Sequence, residues 1–352
     1  MTKVLLIQET ISHYNVPIYD LLAEKFDLCV LHSDKKCCGR EYSFKTIYVP
    51  YIRIRHFGFL HTKNIIKIAN NFDVVICMFA FSFIYFRKLA VAKRNYKLIY
   101  WGIGVSASYD QRYDVDQSKV SRYLQWINDS DAVVFYSDYP VNKYVNLGAN
   151  KNKLFVANNT VKVNKITPDD SRENFLFIGS LYKQKKVMEL LIQYNIAVHR
   201  NPDIPLLYII GDGTEKEQLE EFIRNNGLNN KVIMCGEITK DNELETYFKK
   251  TLLCISPDQA GLSVLKAMGY GTVFVTHKNA ITGGERLNIV DGENGILFDD
   301  FNQISDILID TTINKLKYLE MGNNAYQHYW KCRKPEDMAQ GFIESITYAL
   351  NR

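Results

Sequence analysis

Short apolar runs alternate with helix-like segments along this chain, and the alternation occurs in two series. The runs of the first series lie at residues 4–7, 28–32, 73–78, 97–101 and 132–136, and those of the second at residues 175–178, 206–210, 232–234, 252–255 and 273–276. Buried strands separated by helices are typical of a parallel sheet covered by helices on both faces. The sequence therefore predicts an α/β fold of two doubly wound, Rossmann-like domains.

A length of 352 residues suits two domains better than one core. Residues 160–174, between the two series, are polar and include the run T-P-D-D-S, which is the chemistry of a linker. We expect an N-terminal domain over residues 1–167 and a C-terminal domain over residues 168–334, facing each other across a crevice at the carboxyl ends of both sheets. Residues 335–352 have helical periodicity, and we expect this helix to pack back on the N-terminal domain.

The composition excludes several classes of protein. At 47% hydrophobic and 23% charged residues, the chain is not collagen-like, disordered or a small disulfide framework. Its seven cysteines include no C-x-x-C pair, which indicates reduced thiols and neither a disulfide framework nor a zinc site. The longest apolar stretch, residues 74–86, is too short to cross a bilayer, and no secretory signal opens the chain. We expect a cytoplasmic protein.

Basic residues and aromatic rings are concentrated in residues 51–100. This window holds nine Lys or Arg residues and a single acid, Asp73, for a charge of +8, whereas the whole chain carries only +4. One interpretation is a core strand flanked by solvated helix faces that are basic. The other is a surface that docks on anionic lipid, which would make the protein peripheral on the inner face of the cell membrane. The small net charge does not indicate a nucleic-acid partner.

A glycine turn followed by lysines opens the second series. Residues 179–186 read G-S-L-Y-K-Q-K-K, directly after the apolar run at 175–178 and before a helical segment. Backbone N–H groups at a helix start, with Lys185 nearby, suit a diphosphate. A structural turn with solvated lysines fits the same pattern.

A second glycine loop follows the apolar run at residues 252–255. Residues 256–263 read S-P-D-Q-A-G-L-S, and a helical segment starts at about Leu262. The free N–H groups of a helix start favour an anion. Placed opposite Gly179, this loop would hold the two phosphates of a nucleotide-sugar; the alternative is a strand-to-helix connection without a ligand.

Five runs in the second half of the chain carry a family resemblance. They are residues 177–192, 207–213, 231–238, 261–272 and 283–298. In this order they are similar to the F-V-G-R-L-x-x-x-K-G, L-x-I-V-G-x-G, K-V-x-F-x-G-x-V, G-L-x-x-L-E-A-M-A-x-G and G-G-x-x-E-x-V-x-D-G-x-N-G motifs of glycosyltransferase family 4. Members of that family are retaining enzymes of the GT-B fold. The resemblance implies an enzyme that moves a sugar from a UDP- or GDP-linked nucleotide-sugar donor to an acceptor.

The resemblance also implies which residues act. It assigns catalytic roles to Lys185, which would stabilise the leaving diphosphate, and to Asp258, which would orient the transferred sugar. It places donor contacts at Gly179, Ser180, Gly213, Gly236, Glu237, Ile238, Gly261, Leu262, Ser263, Lys266 and Glu285. GT-B enzymes generally need no metal, so we expect the nucleotide-sugar as co-substrate and no further cofactor.

Three positions depart from the family pattern. Ser180 replaces an arginine, Lys266 replaces a carboxylate, and Leu287 replaces an acid for which the nearby Glu285 would substitute. A lysine cannot accept hydrogen bonds from ribose hydroxyls, so we expect Lys266 to contact phosphate and restore the charge missing at Ser180. The alternative function is a catalytically degenerate GT-B accessory subunit that only binds a nucleotide-sugar. An epimerase would need paired carboxylates and a crevice histidine, which the sequence does not assemble.

Candidate acceptor-binding residues lie in the N-terminal domain, where loops follow two apolar runs. They are His13, after the first run, and Trp101 with Gly102, after the fourth. Trp101 would stack on the apolar face of a sugar, and Gly102 would let the backbone approach it. The alternatives are a surface or capping role for His13 and core packing for Trp101. The resemblance suggests a lipid-linked saccharide acceptor in capsular polysaccharide or lipopolysaccharide assembly.

Overall fold

The computed structural model describes residues 1–107, 111–168 and 171–352, including all of their side chains except that of His56. Two residues of the predicted linker, 169 and 170, therefore lie outside the described part. The chain divides into two compact units. Unit 1 comprises Met1–Ser106, Asp116–Thr160 and Lys334–Arg352, and unit 2 comprises Ala107–Val115 and Val161–Arg333.

Unit 1 is built on a seven-stranded parallel sheet and a separate antiparallel hairpin. Strands β1 to β9 are Lys3–Ile7, Asp27–His32, Lys45–Tyr48, Tyr51–Ile54, Gly58–His61, Val74–Met78, Lys97–Gly102, Ala132–Phe135 and Leu154–Val156. The sheet order is β3-β2-β1-β6-β7-β8-β9, and β4 pairs with β5 in the hairpin. The hairpin was not predicted from the sequence, and its strands are only partly buried.

Helices connect the strands of unit 1 and cover its sheet. Helices α1 to α5 are Val16–Ala23, Ile65–Ala69, Ile84–Lys88, Val120–Asp129 and Asp138–Asn146. The interior strand β1 reads K-V-L-L-I, and its last four residues are fully buried. A continuous apolar strand of this kind is expected where helices cover both faces of a parallel sheet.

Unit 2 contains a six-stranded parallel sheet. Strands β10 to β15 are Asn174–Ile178, Leu207–Ile210, Val232–Gly236, Thr251–Ile255, Val273–His277 and Gly295–Phe298. Helices α6 to α11 are Val187–Arg200, Lys216–Asn225, Asp241–Lys250, Ser263–Gly269, Gln303–Ile313 and Lys315–Cys332. The strand order β12-β11-β10-β13-β14-β15 is the Rossmann order, with the crossover between β10 and β13. The predicted α/β class with parallel sheets is confirmed.

The last helix, α12 (Pro335–Leu350), lies in unit 1, where it packs on α1 and on strands β7 to β9. Its apolar face places Phe342 and Ile346 in the unit 1 core, both fully buried. Each such burial contributes about 2–3 kcal/mol. Gly341 allows the close approach, because a Cβ there would lie 2.2 Å from the Val156 carbonyl oxygen.

Candidate functional site

The strand order of unit 2 reverses between β10 and β13. The two glycine loops identified in the sequence, residues 179–186 and 256–263, begin at that point. Gly179 follows the last residue of β10, and Ser256 follows the last residue of β13. In open α/β sheets, ligands bind outside the carboxyl ends of the strands where the order reverses. The two loops are therefore placed where sheets of this kind bind ligands.

Glycines let the turn after β10 fold tightly. The φ angle of Gly179 is +148°, and a Cβ on Gly211 would lie 1.9 Å from the Gly179 carbonyl oxygen. A Cβ on Gly213 would lie 2.3 Å from the carbonyl oxygen of Leu181. Only glycine fits at the last two positions, so Gly213 supports the turn that carries Gly179 and Ser180. Gly213 and Ser180 are also exposed, and they remain predicted donor contacts.

Lys185 is buried beside this turn. It lies in a short 3-10 helix, Lys183–Lys185, and only 9% of its surface is exposed. Its ammonium nitrogen lies 3.3 Å from the position that a Gly179 Cβ would take and 6.0 Å from the centre of the Tyr182 ring. Burial lowers the pKa of Lys185 to about 8, although the nearby Cys254 and Glu285 oppose that shift. A buried cation at a glycine turn is suited to an anionic ligand.

Asp258 lies in the loop after β13 and is half-buried. Among the described residues its Oδ1 atom is buried without a hydrogen-bond partner. Burial raises the pKa of the Asp258 carboxyl, and the charges of Arg112, His277 and Lys186 act against that change. A buried polar atom without a partner is costly, and a sugar hydroxyl would satisfy it.

A hydrogen bond joins the loop after β10 to the loop after β13. The hydroxyl of Tyr182 donates a hydrogen bond to the side-chain oxygen of Gln259, which is buried. Tyr182 belongs to the turn that carries Lys185, and Gln259 follows Asp258. Within unit 2, the structure thus brings together the loop that carries Lys185 and the loop that carries Asp258.

The start of α9 carries three of the predicted donor contacts. Gly261, Leu262 and Ser263 are all partly exposed, and the helix begins at Ser263 and is seven residues long. Farther along α9, the ammonium of Lys266 lies 2.7 Å from Oδ1 of Asp241, the first residue of α8. Lys266 is therefore engaged in an ion pair, which the predicted phosphate contact would have to share or replace.

The remaining predicted donor contacts lie on two other loops of unit 2. Gly236 ends β12, and its carbonyl oxygen accepts a hydrogen bond of 2.8 Å from the N–H of Gly211; Glu237 is exposed and Ile238 partly buried. Glu285 is buried, and its Oε2 atom accepts hydrogen bonds from the N–H of Gly283 at 2.8 Å and the hydroxyl of Thr282 at 3.1 Å. Its charge acts on Lys185, which lies in the turn after β10.

Of the acceptor residues predicted in unit 1, Trp101 requires a correction. It is 1% exposed, and its ring packs edge-on against Tyr136 at 5.6 Å and Phe342 at 5.1 Å. Because Trp101 is almost completely buried, it has no face free for a sugar, and core packing is the correct alternative. Gly102 is also buried, as the last residue of β7, whereas His13 is exposed after β1.

Three residues of the unit 2 site were missed by sequence reasoning. They are Tyr182, which links the loops, Asp241, which pairs with Lys266, and His277, whose Nδ1 accepts from the Asn279 N–H at 3.0 Å. Tyr182 lies inside the motif at residues 179–186, and only the hydrogen-bond partner of its hydroxyl could not be predicted from the sequence. Asp241 and His277 had no signal, because Lys266, which pairs with Asp241, and Asp258, on which the charge of His277 acts, are distant from them in the sequence.

The described residues contain no group of three or more His, Cys, Asp and Glu side chains placed to hold a metal ion. None of their helices combines the length and the apolar character needed to cross a bilayer.

Comparison with known proteins identifies relatives of this architecture. Residues 158–328 match the family model described as glycosyl transferases group 1. An uncharacterized glycosyltransferase of Methanocaldococcus jannaschii is 24% identical over 178 residues, which are 50% of this chain and 41% of that protein. The matched region thus spans about two fifths of the length of that relative.

Solved structures resemble the whole chain. HepE of Anabaena in complex with UDP superposes with a TM-score of 0.74 at 15% identity, covering 99% of this chain and 100% of HepE. A TarM variant of S. aureus, in complex with fondaparinux, α-GlcNAc-glycerol and UDP, gives 0.70 at 11% identity, with 98% and 100% covered. The pneumococcal O-GlcNAc transferase GtfA, with UDP and GlcNAc, gives 0.71 at 10% identity, with 100% and 99% covered. The fold of this chain is therefore that of the GT-B glycosyltransferases, and most of its unit 2 matches the group 1 glycosyl transferases.

Proposed function

We propose that this protein is a retaining glycosyltransferase resembling family 4, which transfers a sugar from a UDP-linked donor to a saccharide acceptor. The observation that carries the proposal is the buried Lys185 ammonium beside Gly179, at the point where the strand order of unit 2 reverses. UDP is favoured over GDP because three of the similar structures contain UDP.

The reaction would depend on electrostatic stabilisation. Lys185 and the backbone N–H groups around Gly179 would hold the departing diphosphate, whose charge increases as the bond to the sugar breaks. Oδ1 of Asp258, which has no hydrogen-bond partner in the described part of the chain, would accept a hydrogen bond from the sugar and orient it. The acceptor would then attack from the face that the leaving group occupies, which retains the configuration.

The acceptor belongs to the same proposal. A lipid-linked saccharide in bacterial surface polysaccharide assembly fits the basic and aromatic character of unit 1, and it would bring the protein to the inner face of the membrane. Neutralising Arg53, Arg55, Lys63 and Lys67 together is then expected to weaken binding to anionic vesicles. Binding that does not depend on lipid charge would contradict the membrane part of the proposal.

The donor proposal is tested by thermal shift with UDP, GDP, ADP and CMP, followed by turnover of the matching nucleotide-sugars. We expect UDP to stabilise the wild-type chain. Lys185→Gln should remove the shift, and Asp258→Asn should keep UDP binding but lose turnover. Lys183→Gln is the matched control, because Lys183 is an exposed lysine of the same turn. Turnover that survives Lys185→Gln would contradict the proposal.

The degenerate subunit remains a second candidate, because Ser180 and Leu287 lack the charges of the family motif and Lys266 is paired with Asp241. It predicts UDP binding without turnover of any UDP-sugar, including hydrolysis.

A further inference from the structure

Unit 1 contains a pocket that the donor site does not explain. It has a volume of about 600 Å³ and lies beside the residues that follow β6, at the carboxyl edge of the sheet. Such an edge is the usual place for ligands in α/β units. The pocket is thus in a position suited to binding.

The wall of the pocket is fixed by the β4–β5 hairpin. The N–H of Phe59 donates to the carbonyl oxygen of Ser82 at 2.8 Å, and the Arg87 guanidinium donates to the carbonyl oxygen of Phe57 at 3.1 Å. Gly58 has a φ of +103°, and a Cβ there would lie 2.1 Å from the Ser82 oxygen. Glycine is therefore required to close the hairpin on the loop after β6.

The pocket is strongly basic. Five of its described lining residues are cationic and none is acidic; the cations are Arg53, Arg55, Arg87, Lys119 and Arg122. None of the five forms an ion pair within the described part of the chain. By contrast, Arg94 and Lys97 of the same basic window both pair with Asp131. Converging cations without counter-charges favour a ligand with more than one negative charge.

Aromatic rings line the pocket between these cations. Phe79 and Phe81 are partly buried and pack against Tyr123 at ring distances of 5.3 Å and 4.7 Å, and the Arg122 guanidinium lies 5.4 Å from the Phe81 ring centre. Phe57, another lining residue, is 70% exposed. Rings in this setting would cover an apolar chain or the apolar face of a sugar.

We propose that this pocket binds the phosphate or diphosphate group of an amphiphilic acceptor, with the arginines on the anion and the phenylalanines on the adjoining apolar body. The proposal rests on the proposed function, because it defines the chemical class of its acceptor. It differs from diffuse attraction to a membrane, since a concave pocket holds one anionic group at a time.

The test is calorimetric binding of geranyl diphosphate in saturating UDP, which would occupy the diphosphate site of unit 2. Arg53→Gln and Arg122→Gln are each expected to weaken binding about tenfold. Lys93→Gln and Lys151→Gln are matched controls, because both are exposed cations of unit 1 outside the pocket, and they should leave the affinity unchanged. Inorganic pyrophosphate should bind more weakly than geranyl diphosphate because it has no apolar body.

Equal affinity for pyrophosphate and geranyl diphosphate would overturn the role of the rings. Equal losses in the lysine and arginine variants, or binding only to phosphatidylglycerol vesicles, would show a diffuse surface and overturn the pocket. UDP affinity is measured for the same variants and should not change. If the wild-type chain fails to bind UDP or to turn over any UDP-sugar, the proposed function fails. If such a chain still binds geranyl diphosphate, the arginine and lysine variants decide whether it binds in the pocket.

Discussion

The Lys185 ammonium lies directly beside the backbone of Gly179: a Cβ on that glycine would sit 3.3 Å from Nζ and 3.4 Å from Cε. The buried lysine and the glycine turn therefore form one feature, in which the missing side chain provides the space that the cation occupies. A ligand anion that reaches the turn would meet both the backbone and the charge.

Gly179→Ala is expected to weaken UDP binding while the protein stays folded. The new methyl group would push the lysine aside, and a φ of +148° is strained for alanine. We expect a loss of stability of about 1–2 kcal/mol and a fall in UDP affinity of at least about tenfold. Urea unfolding and calorimetry give the two values. Unchanged UDP affinity would show that the turn at Gly179 is not part of the donor site.

UDP binding should weaken as the pH rises through 8. The pKa of Lys185 is lowered to about 8 by burial, so the free protein loses this positive charge above that pH. Bound diphosphate favours the charged form, and affinity should therefore fall by up to about tenfold per pH unit above pH 8. Lys185→Arg keeps its charge throughout this range. A pH profile that is the same in wild type and Lys185→Arg would contradict the assignment.

The lowered pKa of Lys185 also affects the folding stability of the protein. The native state holds fewer protons than the unfolded state between pH 8 and the ordinary lysine pKa of about 10.4, so the cost of burying this charge is fully present below pH 8 and is relieved as the pH rises. Lys185→Met removes that cost, which is on the order of 3 kcal/mol, and should raise the unfolding temperature of the free protein. A lower unfolding temperature at pH 7 would show that Lys185 is not destabilising.

The sequence predicted the parallel sheets and the main loops of unit 2 because these depend on local patterns. Apolar runs such as 4–7 indicate burial whatever surrounds them, and glycine turns are set by the backbone. The position of Trp101 was not predictable, because strand residues alternate between faces and either face of β7 fitted the pattern. The unit 1 pocket combines Arg53 with Arg122, which are far apart in the chain and meet only through the fold.

Trp101→Phe should not affect acceptor use. The indole is buried in the core of unit 1, and among the described residues its Nε1–H has no hydrogen-bond partner. Removing that N–H offsets part of the lost packing, and we expect a destabilisation of only about 1–2 kcal/mol. The measurement is the acceptor KM beside the urea midpoint. A large rise in the acceptor KM with an unchanged urea midpoint would show that Trp101 does stack on the acceptor.

Asp241→Asn should tighten UDP binding if Lys266 contacts phosphate. The mutation releases the Lys266 ammonium from a carboxylate 2.7 Å away, so the charge becomes available to the ligand. Because Asp241 is 60% exposed, the pair itself is weak, and we expect a gain of about threefold or less. Lys266→Gln should lower the affinity and cancel the effect of Asp241→Asn in the double variant. Weaker binding in Asp241→Asn would instead place the Asp241 carboxylate on the ligand.

Lys186→Gly should stabilise unit 2. Lys186 connects the Lys183–Lys185 helix to α6 with φ +56° and ψ +38°, a left-handed conformation that costs a side-chain-bearing residue about 1–2 kcal/mol. Glycine avoids that cost but loses more entropy on folding, which leaves a net gain of about 0.5 kcal/mol. Lys186→Val should destabilise, since β-branched residues are least tolerated there. Lys183→Gly is the control: it removes a lysine from within the same short helix and should lower stability. A lower urea midpoint for Lys186→Gly than for wild type would mean that contacts of the Lys186 side chain outweigh the backbone strain.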